Sequence, residues 1–474
     1  MSIAAICHIL ASIDYMQDVS TKDKTTADFT KGSVIGAIVR MGLPSMIGFM
    51  SGHLYSLADM YWLAGLPQRE TAVAAVTIFS NILWFFFSFN QLIGTGSVAI
   101  ISRRYGEKDF DRAEAAIKET FLLKWTFALV FGIIGYFFVE DMLYLAGARG
   151  EAITMGVEYG RIIFLGMGFS YCAFSVYTAM RGVANPNMAM GIMLGSTLLN
   201  IVLDPLFIFG YLGFPAMGVV GAAVASVISY TLAFIIGMAL FFNGTTNVRL
   251  HLKGRIPVSI GSACRLLKIG IPAWISSMSF SGGRLLVMPM IAMFGNSVVA
   301  AYGVGTQITS LGVMILVGIG LGLASLIGHN LGSLKKDRAK KTGDQALFLA
   351  VGIMAICGLV IFFGAGIIMR LYFESPETIH YGIVLLRILA VGMPFVGIYI
   401  MLEQIYTGVG LNTPAMVVSI GHSWLLEIPA IYILTQILNF NQNAVWWSLT
   451  AATAVSSLAF YWYYRRGQWL EVKV

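Results

Sequence analysis

Long apolar stretches alternate with short polar connections along almost the whole chain. Each stretch has about 20 residues or more, which is enough to cross roughly 30 Å of hydrocarbon as an α-helix. The stretches run at about 34–63, 72–101, 120–139, 152–180, 187–210, 216–242, 262–294, 297–328, 345–369, 379–409, 415–439 and 444–464. None shows the alternation of apolar and polar residues that marks a membrane barrel strand. The pattern therefore predicts an all-α integral membrane protein with twelve spans.

A longer polar connection divides the spans into two groups of six. We expect five units along the chain: an N-terminal cytoplasmic tail (1–31), a first lobe (32–243), a basic cytoplasmic linker (244–260), a second lobe (261–466) and a C-terminal tail (467–474). The apolar segment at 3–13 is too short to span a membrane and no positive charge precedes it. We interpret it as a surface segment and not as a cleaved signal peptide.

The composition and the distribution of charge support this interpretation. The 474 residues are 58% hydrophobic and 11% charged, whereas a soluble domain carries roughly 25% charged residues. With the N-terminus placed inside, 23 of the 30 Lys and Arg residues fall on the cytoplasmic side, and only Arg69, Arg149 and Arg370 lie on the opposite connections. The positive-inside rule predicts this bias for an even number of spans with both termini in the cytoplasm. The net charge of +7 therefore reflects topology, and a nucleic-acid partner is excluded.

The two halves of the sequence resemble each other at a shift of about 226 residues. Residues 94–113 align with residues 320–339, and seven of the twenty positions are identical. Arg161 matches Arg387 in the same register. Because each copy has an even number of spans, both copies have the same orientation in the membrane, with a cleft between them. Parallel repeats of this kind suit alternating access around a site near the midplane, which favours a transporter over a channel.

Two acidic residues within the spans are the main candidates for chemistry. An ionisable group at the centre of a span costs about 2.5 kcal/mol or more, so its presence needs a reason. Asp59 lies in the first span with Tyr55 four residues earlier, and Asp204 lies in the fifth span with Asn200 four residues earlier. Residues four apart share a helix face. Such a set suits a site that alternately binds and releases H⁺ or Na⁺.

The depth of the two acids supports placing them together. Asp59 is about 28 Å along its helix from Arg40, and Asp204 is about 26 Å along its helix from Asn187. Both helices run from inside to outside, so both carboxyl groups fall at a similar level in the outer half. The purely structural alternatives are that Asp204 caps or kinks its helix before Pro205 and that Asp59 lies in a turn at a helix end.

Other ionisable groups within the spans are secondary candidates. They are Arg284, Glu403, Glu427 and His53. For the two glutamates we also consider ion pairs with Arg387 or Arg284, or a place near the interface. For His53, as for His422, helix packing is the simpler interpretation. Arg161 and Arg387 recur in both repeats, which favours a packing role near helix ends.

The sequence contains no signature of another energy source or of catalysis. There is no GxxxxGK[ST] loop for ATP, no HExxH, no paired-histidine metal spacing and no GxSxG in a credible context. We expect no cofactor and no metal apart from a candidate Na⁺ at Asp59, Asp204 and Asn200, and no obligate protein partner is evident. A membrane-embedded enzyme acting on lipids would need a clustered catalytic set, which the sequence does not display. The driving force is then an ion gradient or the gradient of the substrate itself.

Several motifs, in this order and with the repeat, resemble the MATE family, the multidrug and toxic compound extrusion transporters. The resemblance covers residues 34–464. The motifs are Leu57-Ala-Asp59 with Ala64-Gly65, Gly94-Thr-Gly96, Tyr159-Gly-Arg161-Ile-Ile, Arg181-Gly-Val-Ala-Asn185 and Asn200-Ile-Val-Leu-Asp204-Pro-Leu-Phe-Ile-Phe-Gly210. The resemblance implies two pseudo-symmetric six-helix bundles in a V shape. It also implies export of amphipathic, often cationic compounds in exchange for H⁺ or Na⁺. We expect membrane lipids as further partners, and the short loops favour the inner (plasma) membrane as the location.

The resemblance also assigns roles to residues. It implies that Asp59 and Asp204, with Tyr55 and Asn200, form the cation-responsive network of the first lobe, and we expect the first helix to bend near Pro44. The seventh span carries Arg284 and no acid. This resembles the DinF-type branch of the family more than the branches with a glutamate there. A flippase for lipid-linked sugars, from the same superfamily, is the alternative function, and it would carry more basic residues in its central cleft.

Overall fold

The computed structural model describes residues 28–251 and 260–472 of the chain. The expected tails and linker therefore lie partly outside the described residues. These residues form twelve helical segments in chain order and contain no strand. We number the segments α1 (Val34–Leu63), α2 (Arg69–Gly106), α3 (Phe110–Leu145), α4 (Glu151–Leu165 and Met167–Gly182), α5 (Pro186–Phe209), α6 (Val219–Asn243), α7 (Ile260–Ala292), α8 (Asn296–Gly332), α9 (Lys336–Tyr372), α10 (Pro376–Val409), α11 (Thr413–Ile437) and α12 (Asn443–Arg465).

Most of these segments are long and apolar enough to cross a membrane. Nine single helices meet both conditions in the described ranges, and the bent pair in α4 makes ten. The remaining two segments, α7 and α12, have 33 and 23 residues, which is also sufficient for a span. The twelve predicted spans are therefore present, and the helices α2, α3 and α9 extend beyond them by a turn or more at the cytoplasmic side.

The fourth span differs from the continuous helix that its apolar pattern predicts. It breaks at Gly166, where its two parts meet at an angle of 54°. A Cβ atom at Gly166 would overlap the side chain of Val227 in α6. The bend and the missing side chain therefore let α4 and α6 approach closely, which the apolar pattern alone could not reveal.

The eleventh span is also irregular. Residues Gly421–Glu427 and Ile433–Ile437 form π-helical turns on either side of a short α-helical piece, Ile428–Tyr432. Pro429 stands at the start of that piece. Proline has no backbone N–H and its ring crowds the preceding turn, so a regular hydrogen-bond ladder is interrupted here.

The first six helices and the last six form two lobes that meet in the cytoplasmic half. Helix α1 packs against α8, and α2 packs against both α7 and α8. A Cβ atom at Gly106 would overlap the backbone of His329, and one at Gly332 would overlap the backbone of Arg103. These two glycines are equivalent in the repeat and end α2 and α8 on the cytoplasmic side. In both repeats, a glycine at the cytoplasmic end of a helix thus allows the close backbone contact that closes the inner end of the cleft.

The inner and outer parts of the first lobe's α1 differ in burial. Leu57 and Tyr61 near the outer end of α1 are 66% and 71% exposed, and Leu285 in the outer part of α7 is 75% exposed. In contrast, Met41 in the inner part of α1 is fully buried. The lobes thus meet at their cytoplasmic ends, in agreement with the predicted V shape.

Candidate functional site

The structure brings Asp59 and Asp204 together in the first lobe. Asp59 lies one turn before the end of α1, and Asp204 lies at the level of Pro205 in α5. The Asp59 carboxyl group is within hydrogen-bonding range of the Asp204 carboxyl group and of the Asn200 amide. Asp59 is 6% exposed, and Asp204 and Asn200 are fully buried. The equal depth calculated from the sequence thus corresponds to a real contact between helices.

Three oxygen atoms of this cluster lack a hydrogen-bond donor. The Asn200 amide donates to Asp204 Oδ1 at 3.1 Å. In the described part of the chain, however, no donor reaches Asp59 Oδ1, Asp204 Oδ2 or Asn200 Oδ1, although all three are buried. Buried acceptors without partners are costly, and two neighbouring carboxylates would also repel each other. A proton shared by the carboxyl groups, or a small cation held by these oxygens, would remove both costs.

Tyrosine side chains form one wall of the cluster. The Tyr55 hydroxyl group makes a short hydrogen bond with Ser226 in α6, and its ring centroid lies 5.6 Å from that of Tyr230. Tyr159 of α4, which is 6% exposed, is near both carboxyl groups. Tyr159, Ser226 and Tyr230 were not singled out as site residues in the sequence. Only Tyr159 carried a signal, as the first residue of the Tyr-Gly-Arg motif.

Hydrogen bonds between helices hold the acids in place. Thr197 in α5 donates to the carbonyl oxygen of Ser51 in α1 at 3.3 Å. One position earlier, Ser196 donates to the carbonyl oxygen of Ser229 in α6 at 3.2 Å. The three helices are thus tied together one turn below Asn200, and a rearrangement at the acids would be transmitted to α1.

The remaining candidates in α1 lie elsewhere. His53 is half-buried and its ring packs edge-on against Phe49, with 5.7 Å between centroids. Pro44 is buried in the inner part of α1, near the contact between Gly42 and Ile319 of α8. The position of Pro44 is compatible with a hinge at the lobe interface, and this role stays a prediction.

The ion pairs with arginine that were considered for the two glutamates of the second lobe are not the ones formed. Among the described residues, neither Glu403 nor Glu427 forms an ion pair with Arg387 or Arg284. Glu427 Oε2 instead lies 3.1 Å from Nε2 of His422. The turn of α11 between the two residues is π-helical, and so it presents them on one face, which α-helical spacing did not predict. His422 is therefore not isolated, and its ring also packs against Phe280 and Tyr399, as the helix-packing interpretation expects.

The arginine residues of the second lobe have other partners. Arg387 lies over the Phe362 ring at 5.4 Å from its centroid, as Arg161 lies over the Tyr136 ring at 5.5 Å. These contacts are equivalent in the two repeats. Arg284 is exposed in the outer half of α7, within hydrogen-bonding reach of Tyr302. Glu403 is half-buried in α10, one turn after Tyr399.

No group of three or more His, Cys, Asp or Glu side chains in residues 28–251 and 260–472 could hold a metal ion. The first-lobe cluster offers carboxylate and amide oxygens only, without histidine or cysteine. This donor set suits a proton or a hard cation such as Na⁺, and does not suit a transition metal.

Comparisons with known proteins agree with the fold and the motifs. The chain is 29% identical over 402 residues to "Probable multidrug resistance protein YoeA" of Bacillus subtilis, covering 83% of this chain and 86% of the relative. It is 25% identical over 434 residues to "Multidrug export protein MepA" of Staphylococcus haemolyticus, covering 92% and 94%. A crystal structure of MATE in the bent conformation matches with 25% identity and a TM-score of 0.87, covering 94% of this chain and 98% of that one. The family model MatE matches residues 44–206 and 272–433, and the chain therefore belongs to the MatE family of transporters.

Proposed function

We propose that this protein is a secondary active exporter that moves amphipathic, often cationic, organic compounds out of the cell in exchange for H⁺ or Na⁺. The observation that carries the coupling part is the buried cluster of Asp59, Asp204 and Asn200, with one oxygen atom of each lacking a donor. Membership of the MatE family and two relatives described as multidrug proteins support the export part.

The membrane setting follows from the family and the helices. The chain is a multi-pass protein of the plasma (inner) membrane. Its cleft is closed on the cytoplasmic side and open outward, so an ion from outside reaches the first lobe in this state. The exposed apolar side chains near the outer end of α1, such as Leu57 and Tyr61, suit amphipathic compounds more than fully hydrated ones.

The proposed cycle uses the charge of the two acids. An ion from outside neutralises the Asp59–Asp204 pair, which removes the repulsion between the carboxyl groups and changes the packing of α1 against α5. Helix α1 then rearranges about Pro44 and the substrate leaves. The protein returns to the inward-facing state and the ion is released in the cytoplasm. One charge that crosses 100 mV supplies about 2.3 kcal/mol, which supports a tens-fold substrate gradient.

The test is export from reconstituted vesicles under separately imposed pH and Na⁺ gradients. We expect Asp59→Asn and Asp204→Asn each to lose at least about tenfold of the ion-driven accumulation, because one coupling charge is missing. Asp141→Asn is the matched control, since Asp141 is exposed near the outer end of α3. The gradient that drives the wild-type protein identifies the ion.

Two outcomes would contradict the proposal. Full ion-driven export by both site variants would remove Asp59 and Asp204 from coupling. Ion conductance without exchange of any organic compound by the wild-type protein would indicate a channel instead of an exporter.

A further inference from the structure

The ion pair in α11 exists because the helix is π-helical there. His422 and Glu427 are five residues apart. In an α-helix with 3.6 residues per turn, side chains five apart point about 140° away from each other. A π turn has i→i+5 hydrogen bonds, so residues five apart come to lie nearly above one another. The π turn Gly421–Glu427 therefore contains both residues and brings their side chains to the same face of α11.

The irregular turn has a local cause and a cost. Pro429 lies two residues after Glu427 and cannot donate a hydrogen bond to the preceding turn. π-helical turns are rare because their geometry is less favourable, and they occur frequently at functional sites. Here the turn joins the histidine and the glutamate of α11 in one buried contact.

The surroundings of the pair are polar on one side and aromatic on the other. His422 Nδ1 is 3.2 Å from the Ser456 hydroxyl group in α12. The imidazole ring also contacts Phe280 of α7 and Tyr399 of α10, with centroid distances of 5.2 and 6.3 Å. Both side chains of the pair are 9% exposed. The pair is thus almost fully enclosed by the protein.

The other titratable and charged groups around the pair come from three helices. Tyr302 of α8 is near both Glu427 and Arg284 of α7. Tyr399 of α10 contacts the His422 ring and is also near Glu403.

We propose that His422 and Glu427 form a second proton-binding site, located in the second lobe. The inference rests on the proposed export function and deepens it. One proton is held between His422 Nε2 and Glu427 Oε2 when the cleft faces outward. When the cleft faces the cytoplasm the proton leaves to water, and the pair keeps the single negative charge of Glu427. Each transport cycle then moves one proton through this lobe in addition to the ion bound in the first lobe.

The position of the pair in the repeat supports a functional comparison. At the shift of 226 residues that aligns the repeats, Glu427 in α11 corresponds to Ile201, the neighbour of Asn200 in α5. The two lobes thus place ionisable or cation-binding side chains at matching depths of corresponding helices. The first lobe pairs residues four apart in a regular helix, and the second lobe pairs residues five apart in a π turn.

The first experiment measures protons taken up per substrate exported in reconstituted vesicles. We expect Glu427→Gln and His422→Gln to lower the ratio by about one proton per substrate, because the pair titrates as a unit. Under a membrane potential of 100 mV, the substrate gradient at steady state should fall tens-fold. Glu377→Gln and His380→Gln are the matched controls, since both residues are exposed at the outer end of α10.

The second experiment observes the histidine directly and does not depend on transport. In ¹⁵N-histidine NMR spectra, the signals of the six histidines are compared with those of His422→Gln to assign His422. We expect this signal to change protonation state between about pH 5 and pH 8, and to titrate differently in Glu427→Gln.

The outcomes separate this inference from the proposed function. An unchanged proton ratio in both pair variants, or a His422 signal that keeps one form over this pH range, overturns the second site. If Asp204→Asn still abolishes ion-driven export in that case, the proposed function stands. If the variants of neither lobe reduce export driven by a pH gradient or by a Na⁺ gradient, the proposed function fails as well.

Discussion

The two lobes share one backbone plan and carry different chemistry. In the first lobe, two carboxyl groups and an amide from α1 and α5 meet in a buried cluster with three oxygen atoms that lack donors. In the second lobe, a histidine and a glutamate of α11 satisfy each other at 3.1 Å. The first arrangement leaves buried oxygen atoms without donors, whereas in the second the two side chains are partners of each other. Helix packing is therefore more similar between the two repeats than the candidate ion-binding residues are.

The packing contacts at equivalent positions of the repeat are nearly the same in the two lobes. Gly106 and Gly332 each let one lobe's helix approach the other lobe's backbone, and Arg161 and Arg387 each lie over an aromatic ring. Backbone contacts and cation–π contacts depend on shape and position alone. The ion sites depend on charge, so one lobe could change its chemistry without disturbing the fold.

The strongest test of this comparison concerns the contact that the lobes share. We expect Gly106→Ala and Gly332→Ala to disfavour the outward-open state equally, because each added Cβ overlaps the backbone of the other lobe. Overpacking of this kind costs about 1–3 kcal/mol, which corresponds to a five- to 150-fold population shift. Spin-label distances between positions 57 and 285 would report a narrower outer mouth.

The matched control lies in the same helix as Gly332. A Cβ at Gly303 of α8 meets no atom within 4 Å, so Gly303→Ala should leave the distances unchanged. Equal distances in Gly303→Ala and Gly332→Ala would show that the inner contact does not hold the cleft in its outward-open form.

Replacing a helix proline by alanine should have different effects in the two lobes. Pro429→Ala restores an N–H group, so α11 can become a regular helix and turn His422 away from Glu427 by about 140°. We expect the free energy of unfolding to rise by up to about 3 kcal/mol, and the number of protons exchanged per substrate to fall as in Glu427→Gln. Thermal unfolding in detergent measures the change in stability, and flux in vesicles measures the number of protons per substrate.

The corresponding change in the first lobe is the control. Asn200 and Asp204 are four residues apart and remain on one face of a regular helix, so Pro205→Ala should keep their 3.1 Å hydrogen bond. If Pro429→Ala lowered neither the proton ratio nor the strength of the His422–Glu427 contact, the π turn would not be what forms the pair.

The smallest expected effect concerns the repeated cation–π contacts. Arg161→Gln and Arg387→Gln should each lower the free energy of unfolding by about 0.5–2 kcal/mol, and by similar amounts, because the two contacts have nearly the same geometry. Ion coupling should be intact in both variants. A selective loss of coupling in only one of them would give that arginine a role beyond packing.

Most of the fold could be predicted because each span carries its own signal. The first span was predicted at 34–63 and α1 occupies Val34–Leu63, while α5 and α10 begin or end within three residues of the prediction. A membrane-spanning helix must satisfy its backbone internally and face lipid, so length and hydrophobicity almost suffice. The break at Gly166 was missed, because a glycine within an apolar stretch has the same appearance in bent and straight helices.

The first-lobe site could be predicted in part and the second-lobe pair could not. Asp59 and Asp204 stood out because acids are rare in spans, and equal depth along parallel helices suggested their contact. Tyr230 and Ser226 joined the cluster only through the packing of α6 against α1. His422 and Glu427 were separated in the prediction because α-helical periodicity was assumed for α11.

The amino-acid sequence by itself determined the twelve spans, their direction in the membrane, the internal repeat and the two acids of the first lobe. These properties depend on local hydrophobicity, on the placement of positive charge and on the cost of burying a carboxyl group. The tertiary structure decided which side chains face one another across helices, which end of the cleft is closed, and how α4 and α11 depart from regular geometry. Such properties depend on close contacts between residues far apart in the chain, and no local pattern records those contacts.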